Sequence, residues 1–164
     1  MEVTSRENLD QQENTQYGRY LTFNVGEEVF GLEIEFVTEI ISLQPITKIP
    51  EVASYIKGII NLRGKIIPVI DVRLKFKKEE IPYNERTCIV VIDADDVAVG
   101  LIVDRVSEVL TINDEEVAPP PDNKTGIKNR YIKGIGKING EVKLLLDCNR
   151  FFDEEEKQAI NDIE

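Results

Sequence analysis

The chain repeats itself, and the repeat limits what it can fold into. Residues 20–43 align without a gap with residues 89–112 at an offset of 69, and residues 55–76 align with residues 131–152 at an offset of 76. The first match is one of pattern: Gly31-Leu32, Val37 and Glu39 recur as Gly100-Leu101, Val106 and Glu108, while Leu21, Phe23 and Ile40 recur as Val90, Ile92 and Val109. The second is one of identity, with eight of 22 pairs the same. Tyr-Ile-Lys-Gly-Ile begins at both Tyr55 and Tyr131, and Gly64, Asp71 and Phe76 return as Gly140, Asp147 and Phe152. The offset grows because the connector Gln44–Ser54 has 11 residues and Asn113–Arg130 has 18. Two duplicated units of this size, each too small to bury much alone, are expected to share a core.

Each unit reads as short strands. Alternation through Arg19–Val25, a Gly26-Glu27-Glu28 turn and the run Val29–Ile34 predict a hairpin, matched by Cys88–Ala94, Asp95-Asp96 and Val97–Val103. A second hairpin turns at Arg63-Gly64 in one unit and at Asn139-Gly140 in the other, and Asn-Gly is the strongest two-residue hairpin signal. A single helical turn is expected near 33–37 and again near 104–107. Pro68 cannot donate to a ladder and predicts an edge strand or a bulge. The unbroken apolar run Ile66–Ile70 predicts a strand covered on both faces.

These elements predict a mainly β fold: two small five-stranded SH3/OB-like barrels packed on a shared core. Whether the barrels exchange strands is left open. The expected organisation is a polar N-terminal tail over 1–17, one domain over 18–152 with repeats at about 20–76 and 89–152, and an acidic C-terminal helix or tail over 153–164. Asp153–Glu156 followed by Ala159, Ile160 and Ile163 suits a short helix with acids at its N-terminal end.

The net charge is −11, but residues 1–16 carry −3 of it and residues 153–164 carry −5. The body is nearly balanced, and the acidic ends are expected to be solvated. There is no histidine, which removes Ser-His-Asp and Cys-His nucleophiles and every histidine-containing metal site. Cys88 and Cys148 lie far apart within apolar runs and read as free thiols, not as a pair. Asp93, Asp95 and Asp96 resemble the start of a calcium loop but lack its glycine and distal glutamate, so they read as turn residues. No apolar run approaches the ~18 residues of a membrane span. A non-enzymatic, cytoplasmic protein without cofactors is expected.

Positions alike in both units read as scaffold, so departures are informative. Gly58/Gly134 and Gly64/Gly140 recur and point to backbone requirements. Arg63 occupies a turn position where its counterpart is the better suited Asn139, which suggests either a solvated turn or a guanidinium kept for contact. Glu39 and Glu108 recur without reason to face each other, and read as rim residues rather than an acid-base pair.

The segment Gly58–Asp71, GIINLRGKIIPVID, resembles the signature of CheW-like domains, and Gly100–Val109, GLIVDRVSEV, resembles their second recurrent stretch. The resemblance covers about residues 18–152 and implies a two-barrel adaptor that links transmembrane chemoreceptors to the histidine kinase CheA. It implies that the cytoplasmic hairpin tip of a methyl-accepting receptor binds a groove between the barrels. By matching motif positions, the receptor-binding residues are Val37, Glu39, Gly58, Arg63, Val106 and Val109. Pseudo-symmetric rings that alternate the adaptor with the regulatory domain of CheA are also implied, with recruitment to membrane arrays and no insertion into the bilayer. The alternative is a barrel that binds single-stranded nucleic acid. It would need a basic groove with stacking aromatics, whereas this acidic chain has eleven aromatic residues in all, several at expected core positions.

Overall fold

The computed structural model describes residues 17–120 and 131–163. In the first unit the strands are β1 (Arg19–Val25), β2 (Glu28–Glu33), β3 (Val37–Ser42), β4 (Ile56–Leu62) and β5 (Lys65–Asp71), followed by the single-turn helix α1 (Val72–Lys75). In the second they are β6 (Cys88–Ala94), β7 (Val97–Val103), β8 (Arg105–Thr111), the two-residue β9 (Val117–Ala118), β10 (Ile132–Ile138) and β11 (Glu141–Leu146). Helix α2 (Glu154–Ile163) closes the fold. Its N-terminus is held by a reciprocal capping box: the Glu156 amide donates to Asp153 Oδ1 at 2.7 Å and the Asp153 amide to Glu156 Oε1 at 3.1 Å.

The strands form two sheets, ordered β8-β1-β2-β11-β10-β9 and β3-β6-β7-β5-β4. This order answers the open question of exchange. Each sheet takes the first hairpin of one unit and the later strands of the other, joined by the short parallel ladders β2–β11 and β5–β7. Apolar residues of both units therefore meet in one core: Phe23, Phe30 and Leu32 from one sheet and Ile70, Val90 and Leu101 from the other, capped by Phe151, Phe152 and Ile160. Rings continue through it, with Phe30 stacked on Phe76 at 5.1 Å and Phe76 edge-on to Tyr131 and Phe151.

Several expectations change. Among the described residues neither sheet closes into a barrel by a continuous ladder; in the five-stranded sheet the connector supplies only the bridge Thr47–Ile59 on β4. Strand β5 is interior, not an edge. Pro68 is tolerated because the β5–β7 ladder starts one residue later, at Val69. Four residues of Ile66–Ile70 are buried, but Ile66 is exposed. The helical turn expected near 33–37 appears at Ile34–Phe36, but the one expected near 104–107 does not: Asp104 forms a bend whose amide donates to Asn24 O at 3.0 Å, and the second unit's helical turn comes later, at Asp114–Glu116. The acidic end is not wholly solvated either, since Glu156 turns inward. Asp95 and Asp96 are turn residues, both at positive φ, and both cysteines are free.

Candidate functional site

Arg63 and Asn139 both sit in left-handed backbone, at φ 53° and 52°, each followed by a glycine at positive φ. Such a two-residue turn suits Asn-Gly and costs an arginine about 1 kcal/mol. The Asn61 carboxamide offsets part of this by accepting the Gly64 amide at 2.8 Å. What the turn achieves is projection: the Arg63 side chain is 70% exposed and its guanidinium reaches back to the carboxylate of Glu39 on β3. Strands β3 and β4 are opposite edges of one sheet, so this ion pair spans the sheet's open side. The counterpart residues, Glu108 and Asn139, cannot form an ion pair.

Of the residues matched to the receptor surface, Val37 and Glu39 lie on edge strand β3, and Val106 and Val109 on β8, the edge of the other sheet. Val37 and Val106 are half-buried against the core, whereas Val109 is exposed. Gly58 is buried beneath the connector, where a Cβ would come 2.1 Å from Thr47 O. It shapes the backbone and presents no surface of its own. The structure thus brings Arg63 and Glu39 together and leaves the valines on two separate edges.

The exposed aliphatics occur in repeat-related pairs, and their exposure was not evident from the sequence pattern. Ile40 and Val109 are counterparts on β3 and β8, and Ile66 and Val142 are counterparts beside the two hairpin turns. A clue lay in the alignment, since each pair stays aliphatic in both units without a core to require it.

Two polar clusters tie the units together. Asp104 accepts from Arg73 Nε at 2.9 Å, Arg73 Nη2 at 2.6 Å and the Gly26 amide at 2.7 Å. Burial pushes this carboxyl up, but the guanidinium and amide outweigh it and hold it below the ordinary range. The second cluster centres on Lys75, whose side chain is 2% exposed. Its ammonium lies 4.6 Å from the Tyr55 ring centroid, 5.1 Å from Tyr131, 5.7 Å from Phe151 and 5.4 Å from Phe152, and it pairs with Glu156 of α2. Tyr55 donates to the same carboxylate at 2.5 Å. Sequence reasoning missed Lys75, although the alignment sets it opposite Phe151 and so marks a cation at a core position.

Among the described residues no group of three or more Cys, Asp or Glu side chains could hold a metal, and no helix is long and apolar enough to cross a membrane. The CheW-like domain matches residues 19–156. The chain belongs to the CheW-like family. It is 33% identical over 144 residues to the chemotaxis protein CheW of Klebsiella aerogenes, covering 88% of this chain and 87% of that protein. To CheW of Rhizobium meliloti it is 33% identical over 146 residues, covering 88% and 94%. The crystal structure of the scaffolding protein TtCheW from Thermoanaerobacter tengcongensis superposes with a TM-score of 0.77 at 36% identity, covering 83% of this chain and 92% of that one. A chemotaxis adaptor or scaffold role follows from CheW-like membership, with other chemotaxis proteins as partners.

Proposed function

We propose that the chain is a non-catalytic adaptor that couples the cytoplasmic tips of chemoreceptors to the histidine kinase CheA, and that it works in the cytoplasm at receptor arrays. A scaffold needs separate faces for separate partners. The supporting observation is that exposed aliphatics occur as the repeat-related pairs Ile40/Val109 and Ile66/Val142, while the Arg63–Glu39 ion pair exists in only one unit. Duplication supplies two similar apolar faces, and the ion pair makes them unequal. The receptor tip docks between edge strands β3 and β8, with Val37, Val106 and Val109 giving apolar area, Arg63 and Glu39 directional polar contact, and Gly58 fixing the backbone beneath. The regulatory domain of CheA takes a second face in a pseudo-symmetric ring of barrel-like units.

Nothing favours single-stranded nucleic acid. Four of the six phenylalanines are fully buried, and the chain carries a net charge of −11. The test is co-sedimentation of the chain with a receptor cytoplasmic fragment and with CheA, separately and together. Independent binding of each, and a ternary complex that neither blocks, is expected. Failure of folded protein to bind either partner overturns the proposal.

A further inference from the structure

A groove of about 650 Å³ lies between α2 and the β3–β4 connector, and neither Arg63 nor Glu39 lines it. Ile49, Val52, Ile59, Ala159 and Ile163 give it apolar walls. Its rim carries Glu51, Glu155 and Asp162, all exposed, and among the described residues no basic side chain lines it. The fourth acid, Glu156, is already neutralised by Lys75.

One wall of the groove is fixed. Helix α2 is anchored by Ile160, 1% exposed in the shared core, by Lys157 on Asp95 at 2.6 Å, and by Glu156 on Lys75 and Tyr55. A wall held at three points keeps the groove open without an occupant, so binding need not first order the helix.

We propose that this groove docks an amphipathic helical segment of a partner protein, with an apolar stripe at i, i+3, i+4 and i+7 and basic residues flanking it. The apolar walls ask for such a stripe. The acidic rim asks for flanking cations and disfavours acidic occupants. A second copy of this chain, at −11, is disfavoured on the same ground, as are anionic lipid and nucleic acid. The inference concerns a face distinct from the proposed receptor surface and stands independently of that reading.

The test is an NMR titration of the isotope-labelled full chain with a synthetic leucine/lysine amphipathic helix, beside a leucine/glutamate peptide of the same pattern. Saturable binding of the lysine peptide is expected, with shifts centred on the amides of Val52, Ile59, Ala159 and Ile163. The glutamate peptide should not bind. The Glu155→Lys/Asp162→Lys variant, altered only at exposed positions, should bind the lysine peptide about tenfold more weakly while still binding receptor fragment and CheA. Glu51→Lys on the opposite wall should weaken binding in the same direction and serves if the double variant misfolds. Shifts centred elsewhere, equal binding of the two peptides, undiminished binding by the folded charge variants, or a dimer filling the groove would each overturn the inference.

Discussion

The Lys75 ammonium and the Glu156 carboxylate form an ion pair buried among four aromatic rings, joining α1 of the first unit to α2 at the chain's end. Breaking such a pair leaves a buried charge uncompensated, which costs about 3 kcal/mol. Glu156→Gln should therefore destabilise the fold by about that amount. Lys75→Met should cost less, because the freed carboxylate keeps the Tyr55 hydroxyl and borders solvent. The double variant should be more stable than Glu156→Gln alone, with no charge left buried. Urea denaturation of the three variants measures this.

Acid should weaken the protein through Asp104 and Glu156. Burial pushes both carboxyls up, but Arg73 and the Gly26 amide at one, and Lys75, Tyr55 and the Asp153 amide at the other, hold both below their ordinary values of 3.8 and 4.5. Below those values the unfolded chain takes up protons that the folded chain still refuses. Their stabilisation is thus complete above the ordinary carboxylate range and lost as pH falls through the lower folded values. The urea midpoint should fall between pH 5 and pH 3, and less steeply in the Asp104→Asn/Glu156→Gln variant.

Arg63→Ala should weaken binding of a receptor cytoplasmic fragment by about 2 kcal/mol, roughly 30-fold. The ion pair with Glu39 is exposed, so folding stability should change by less than about 1 kcal/mol. Isothermal titration and thermal melts on the same sample separate the two. Undiminished affinity would remove Arg63 from the receptor surface.

Gly58→Ala and Gly64→Ala should differ sharply. A Cβ at Gly58, φ 145°, meets the Thr47 carbonyl, whereas at Gly64, φ 88°, it meets nothing within 4 Å. The first substitution should cost about 3 kcal/mol or more by displacing the connector, and the second about 1 kcal/mol from backbone strain alone. Chemical denaturation decides.

The two thiols should report on folding. Burial pushes Cys148 up to about 12, while Cys88 is only half-buried. At pH 8 a disulfide reagent should modify Cys88 first, and Cys148 only once urea unfolds the chain. Equal native rates would contradict the burial of Cys148.

The strands and most turns were legible because their signals are local: alternation in Arg19–Val25, Asn139-Gly140 in its turn, acids opening α2. Arg63 was legible as a break in the repeat. Glu39 as its partner was not, because the contact depends on how far the sheet curls. The interior place of β5 was misread from Pro68 because a proline reports only its own missing donor, and the β5–β7 ladder begins at Val69.

By itself the sequence determined that there are two similar units, where their strands and turns fall, and which turn departs from its twin, since each follows from neighbouring residues or from comparison of the halves. Only the tertiary structure decided that the units exchange hairpins, that no ladder among the described residues closes either sheet, and that Lys75 meets a carboxylate 81 residues away inside a cage of rings. Backbone ladders accept any strand of suitable register, and a lysine carries no local sign of burial. Those choices fall to the packing of the shared core, which no segment of the chain contains alone.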